Sequence, residues 1–209
     1  MWRYLPAALL VLLLAPALRS ASAADLPARP AVPGARSTAK NNLTAILITA
    51  QDVVSDPNFA GSIVVVMNNL APAPVGIIIN RPTPITVSRL FPKLKQLAPL
   101  RDKVYFGGPV EFRTVWFVFR ARSAPKSAVR VCDGVYLSAS RKLLLKLLGR
   151  SKPMQGLRIF LGRAGWAAGQ LQAEIEGGAW APRRADADSI FNPQPQVPWP
   201  SGPAPKGGT

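Results

Sequence analysis

Three short runs constrain the fold of this chain more than anything else in it. They are Thr44 to Thr49 (TAILIT), Ser62 to Met67 (SIVVVM) and Val75 to Ile79 (VGIII). Each is apolar almost without interruption and rich in β-branched side chains. Continuous apolarity, as opposed to alternation, is the mark of strands covered on both faces. Ala71-Pro72-Ala73-Pro74 breaks the chain between the second and third runs. The links between these early strands are too short for helical crossovers. The expected fold class is therefore α/β of the mixed α+β kind, a curled mixed β-sheet with helices packed outside.

Further strands are predicted at Lys103–Phe106 and Val115–Phe119. Ala128–Cys132 and Val135–Ser138 should pair across Asp133-Gly134, a two-residue hairpin signal. Leu157–Leu161 is another strand. Ser140 to Leu148 places Leu143, Leu144, Leu147 and Leu148 at helical spacing, with Arg141, Lys142 and Lys146 mainly on the opposite side. Ser138 or Ser140 can cap this basic amphipathic helix and Gly149 can end it. A second helix is expected over Ala167–Ile175, with Leu171 and Ile175 on one face.

The two ends read differently from the middle. Residues 1–23 carry Arg3, an apolar stretch from Leu5 to Leu18, and Ala21-Ser22-Ala23, the pattern of a cleaved export signal. Residues 24–40 are rich in Pro, Ala and Arg and read as a flexible linker. Residues 193–209 are proline-rich and are expected to be a disordered or polyproline-like tail. The folded unit is thus predicted at 41–192. The expected location is the periplasm or the outside of the cell, with the cytoplasm as the alternative.

Net charge is +16, with only ten acidic residues. Such a field attracts polyanions: anionic lipid headgroups, acidic polysaccharide or nucleic acid. Histidine is absent, which removes Ser-His-Asp and Cys-His catalysis and the common histidine-containing zinc sets. The single cysteine, Cys132, lies in an apolar context and reads as a buried small hydrophobe. No catalytic residue, metal ligand set or cofactor motif is found.

Three motifs carry the remaining signal. Asn80-Arg81-Pro82 ends an apolar strand, and Arg81 is expected to pair internally with Asp56 or Asp133 or to present an exposed anion-binding guanidinium. Gly107 and Gly108 in YFGGPV predict a tight turn with unusual backbone angles. The stretch LGRAGWAAGQLQAEI, from Leu161 to Ile175, spaces its glycines unlike a dinucleotide or phosphate loop. It reads as a strand-to-helix turn in which glycines let two elements touch and Trp166 packs in the angle. Glu174 and Glu176 are two apart and form no acid pair suited to glycoside hydrolysis.

Taken in order, SDPNF, GIIINRP, VYFGGPV, CDGVYLSAS and LGRAGWAAGQLQAEI followed by Trp180 resemble the bacterial YqgE/AlgH family (UPF0301, DUF179). The resemblance covers Leu43 to about Phe191. It implies a bifurcated sheet folded into a pseudo-barrel and supplies no chemistry. Members have been treated as transcriptional regulators, without a recognisable DNA-binding motif. This chain departs from the family in having Met67-Asn68-Asn69 where a histidine is usual, and Gln172 where an acid is usual. Its charge and leader depart as well.

The resulting expectation is a non-enzymatic binding or regulatory domain exported to the cell envelope. Its interaction surface is placed near Asn80, Arg81, Gly107, Gly108, Trp166 and Gln170, with the basic helix face adding attraction to an anionic partner. The alternatives are a cytoplasmic nucleic-acid-associated regulator and an enzyme acting on an anionic substrate.

Overall fold

The computed structural model describes residues 45–67 and 70–197. The expected leader, the whole of the expected linker and the end of the tail lie outside them. Ten strands form one curled sheet: β1 (Ala45–Ala50), β2 (Ile63–Met67), β3 (Val75–Ile78), β4 (Pro82–Thr86), β5 (Lys103–Phe106), β6 (Val110–Arg120), β7 (Val129–Cys132), β8 (Val135–Ser138), β9 (Leu157–Gly165) and β10 (Trp180–Arg184). Four short helices accompany them: α1 (Val87–Leu90), α2 (Arg141–Leu148), α3 (Gln170–Glu176) and α4 (Ala187–Phe191). The main path runs β10-β1-β2-β3-β9-β6-β8-β7, with β4 joined through β5.

The sheet forks along β9. Its first half pairs in parallel with β5, Tyr105 opposite Phe160 and Phe106 opposite Leu161. Its last residues pair antiparallel with β3, Gly76 opposite Ala164 and Val75 opposite Gly165. The other edge of β9 pairs antiparallel with β6, from Leu157 to Leu161 and again at Arg163. Two strands therefore share one edge of β9 in succession, and the sheet splits where one hands over to the other.

Burial explains the continuous apolarity of the early strands. Leu47, Val65 and Ile77 point into an interior shared with Val118, Leu137 and Phe160. Their neighbours Ile48, Val64 and Ile78 face the other way, onto Trp166, Leu171 and Trp180. Both faces of β1–β3 are thus covered, as parallel-sheet strands would be, although the pairing is antiparallel. The outer face of β6, β8 and β9 carries Phe117, Tyr136 and Ile159 and receives Leu144, Leu147 and Leu148 of α2. Burial of each of these leucines contributes about 1.5–3 kcal/mol. Ser140 caps α2, its hydroxyl accepting from the Leu143 amide, while Ser138 accepts from the Ser140 amide one step earlier. Asp133-Gly134 makes the β7–β8 hairpin, with Cys132 opposite Val135.

The sequence reading missed β4 and β10, and both contain proline. Each lies at an edge of the sheet, where a missing amide donor costs no ladder bond. β6 begins five residues earlier than expected, because a bulge between Val110 and Val115 interrupts its pairing with β9. β9 extends to Gly165, so the expected strand-to-helix turn is strand for its first half. The disordered tail expected from Pro193 instead begins with packed chain. Pro193 is buried, and the Val197 amide donates to the Asn80 carbonyl at 2.9 Å.

Candidate functional site

Asn80 and Arg81 follow β3 after a single residue, Ile79. They are 0% and 2% exposed, so a partner cannot reach them. Asn80 uses its whole amide. Its Oδ1 accepts from the Ile63 amide at 2.9 Å, and its Nδ2 donates to the carbonyls of Gly61 (3.0 Å) and Pro195 (2.9 Å). Arg81 donates from Nη1 to the Pro57 carbonyl and from Nη2 to the Ala60 carbonyl. Burial pushes its pKa down, and the Asp56 carboxylate opposes that shift. The expected carboxylate pairs do not form. Asp56 instead accepts from the backbone and side-chain amides of Asn58, and Asp133 pairs with Arg130. The reason is local: the loop that brings Asp56 near also offers carbonyls at closer reach.

The glycines of the two motifs meet at the fork. The Gly107 amide donates to Leu161 and its carbonyl accepts from Ile78, so one residue bridges β9 and β3. A Cβ on Gly107 would lie 2.3 Å from the Gly162 carbonyl oxygen, and one on Gly108 would lie 2.2 Å from the Arg163 carbonyl carbon. Gly162 also has a left-handed φ of +72°. These glycines serve close backbone approach between the strands.

Trp166 packs over Gly76, where a Cβ would come within 2.8 Å of the indole. Its Nε1 donates to Glu174 Oε2 at 2.9 Å, and Trp180 Nε1 donates to the same oxygen at 2.8 Å. Gln170 accepts from the Ala167 amide and donates to the other Glu174 oxygen. The motif residues around α3 thus fasten α3 to β9 and β10.

Two of the clefts open to solvent bear on the site. One, of about 580 Å³, lies beside the fork between Pro72, Pro74, Val110, Trp116, Arg163 and Trp166. At its rim Arg163 donates to Glu111 at 2.9 Å. That bond holds the Glu111 carboxyl below the usual carboxylate range and raises Arg163 in turn. Glu111 has φ +50° inside the β6 bulge, an uncommon angle for a side-chain-bearing residue. The other cleft, of about 740 Å³, lies between the end of β6 and the α2–β9 loop. Arg120, Arg122, Arg150 and Lys152 line it, and no acid does. Among the described residues no three His, Cys, Asp or Glu come together as a metal site.

Comparison with known proteins rests on this geometry. The DUF179 (AlgH-like) family model matches residues 46–206. The chain belongs to this family. A UPF0301 protein of Anaeromyxobacter dehalogenans is 35% identical over 162 residues, covering 73% of this chain and 82% of that one. The UPF0301 protein azo3459 of Azoarcus is 34% identical, covering 76% and 86%. The solution structure of the AlgH protein from Pseudomonas aeruginosa superposes with a TM-score of 0.59 at 26% identity, over 76% of this chain and 85% of that one.

Within this AlgH-like chain the six expected surface residues do not form one exposed patch. Trp166 lines the fork cleft, Gly107 and Gly108 lie behind it, and Gln170 caps the turn before α3. Asn80 and Arg81 are sealed beneath the loop at 56–61. Arg141, Lys142 and Lys146 are exposed on α2, as its amphipathic pattern implies. Sequence reasoning missed Arg158. It is 7% exposed, donates to the Ile190 and Ile79 carbonyls, and stacks over Tyr105 at 3.9 Å. Burial pushes its pKa down. The available signal was one charge inside the apolar run LRIFL.

Proposed function

We propose that this AlgH-like chain is a non-enzymatic binding domain of the cell envelope that recognises an anionic partner. The observation that carries the reading is an imbalance in how charges are used. Glu111, Asp133 and Asp186 are held by arginines, and Glu174 by two tryptophans. Of the cations around the end of β6 and the α2–β9 loop, only Arg120 has an acid beside it among the described residues, the exposed Asp188 at 3.6 Å. A concave, uncompensated positive region attracts an anion and accelerates its encounter. The family's motif side chains favour binding over chemistry, since Asn80, Arg81, Gln170 and Glu174 are all committed to internal hydrogen bonds. Export is supported by the n-region, apolar stretch and small residues at the start of the chain.

The test is binding to vesicles with and without anionic lipid across a salt series. Affinity for the anionic vesicles should fall steeply from low to moderate salt as the charges are screened. Binding to neither kind of vesicle nor to any soluble polyanion would overturn the reading.

A further inference from the structure

We infer that the cleft between the end of β6 and the α2–β9 loop is a phosphate-recognition site, with the phosphate monoester as the chemical class it takes. This rests on the anion-binding reading above and names its ligand.

Two of the four cations are held in place by groups that do not cancel their charge. Arg150 donates from Nε to the Leu147 carbonyl and from Nη2 to the carbonyls of Pro153 and Gln155. Arg120 lays its guanidinium over the Phe191 ring at 4.7 Å. The stem of Arg120 also rests on Gly156, where a Cβ would come within 3.2 Å of it, and the Arg120 amide donates to the Gly156 carbonyl. The nearest acid is Asp188, 3.6 Å from Arg120 Nη2, and it is 93% exposed. At that separation and exposure it neutralises little. The side chains of Arg122 and Lys152 have no hydrogen-bond or ion-pair partner among the described residues. Elsewhere Arg130, Arg163 and Arg183 each have a carboxylate within 3.2 Å.

Three guanidiniums and one ammonium around one concavity select among anions. A carboxylate offers two coplanar oxygens and one charge, enough for a single guanidinium fork. A phosphate monoester carries nearly two charges near neutral pH and three terminal oxygens in different directions. It can engage several forks together. The volume of about 740 Å³ exceeds what a bare phosphate fills and lies in the range that holds small-molecule ligands, so the group bearing the phosphate has room as well. A nucleic acid presents an extended row of single charges and would call for a basic track longer than one cleft.

The experiment uses the protein in the form that cells accumulate. The probes are glycerol phosphate, phosphatidylcholine vesicles containing phosphatidic acid, matched vesicles containing oleate, an oligouronate and single-stranded DNA. Arg122→Gln/Lys152→Gln removes two unpartnered charges from the cleft. Arg141→Gln/Lys142→Gln removes two from the exposed α2 face as a control. The cleft pair should weaken phosphate binding roughly tenfold or more and the α2 pair less than about twofold. Binding of glycerol phosphate identifies a soluble ester as the source; binding of phosphatidic acid vesicles alone identifies a lipid headgroup. Equal loss in both double variants would overturn the site, since diffuse charge would then suffice. Oleate, uronate or DNA bound as tightly as the phosphate probes would overturn the class. Anion binding that ignores the cleft pair defeats this inference and leaves the anion-binding reading standing; absence of all anion binding defeats both.

Discussion

Glu174 shows how much one side chain carries. Its Oε2 accepts from two indoles whose rings meet edge to face at 6.1 Å, and its Oε1 accepts from Gln170. Removing it leaves both indole donors without an acceptor in a largely apolar setting. Glu174→Ala is expected to cost about 2–4 kcal/mol, and Glu174→Gln less, because the amide oxygen still accepts. Urea unfolding of the two variants checks this; equal losses would show that packing matters and the indole bonds do not. Cys132 gives a second prediction at this scale. Burial pushes its thiol pKa up, and the Asp186 and Asp133 carboxylates push the same way. Since the thiolate is the reactive form, maleimide should label Cys132 more slowly at neutral pH than an unfolded control, with the rate still rising at pH where a free thiol has levelled off.

At the scale of elements, the structure turns on clamps between segments far apart in sequence. Asn80 joins β2, the loop at 56–61 and the chain at Pro195–Val197 through four hydrogen bonds, one of them accepted by its own carbonyl. Asn80→Ala should destabilise by about 2–4 kcal/mol by leaving the Ile63 amide and two carbonyls unpaired. Hydrogen exchange should show the loss of protection beginning at Gly61–Ile63 and Val197. A loss spread evenly over the molecule would contradict the clamp. The Asp186 cap of α4 makes a pH prediction. Hydrogen bonds from the Ser189 hydroxyl and amide, helped by Arg183, hold its carboxyl below the usual range. A carboxyl depressed by folding stabilises above its unfolded pKa, and the contribution is lost as pH falls through the folded value. Asp186→Ala should therefore cost about 1 kcal/mol near neutrality. The gap between wild type and variant should close as the pH drops below about 4. A gap that persists unchanged at lower pH would show that the cap acts through geometry alone.

At the scale of the whole molecule, charge and fold answer different questions. The net charge of +16 predicts attraction to anions but not where they bind. The proposed place follows from the fold, which spends most described acids on local bonds and leaves one cleft whose charged lining is all cationic, with only the exposed Asp188 beside it. Location is tested at this scale too. Mass spectrometry of the native protein from fractionated cells should find a new N-terminus near Ala24 in the envelope fraction. An intact leader on a cytosolic protein would remove export from the proposed function and make nucleic acid the first anion to test.

Much of the fold was legible because it depends on short-range rules. β-branched runs made β1–β3 readable, Asp133-Gly134 the hairpin, and leucine spacing with Ser140 the α2 helix. The glycine spacing of LGRAGWAAG reads as close packing, which Gly162 shows against the Gly108 carbonyl, whereas Gly169 meets nothing within 4 Å and supplies a left-handed φ instead. The proline-bearing edge strands stayed hidden, because propensity describes central strands and an edge strand needs no amide on its free side. The site was less legible. Arg81 could be expected to find a carboxylate, yet only the tertiary structure places the Pro57 and Ala60 carbonyls against its guanidinium. Arg120 and Arg150 are thirty residues apart and unremarkable in sequence. They line one cleft because β6 and β9 are paired strands, with Phe119 opposite Leu157, which brings the α2–β9 loop to the end of β6. Sequence determines which residues prefer a strand, a turn or the interior. Which charges end as neighbours depends on long-range pairing, and no local preference encodes it.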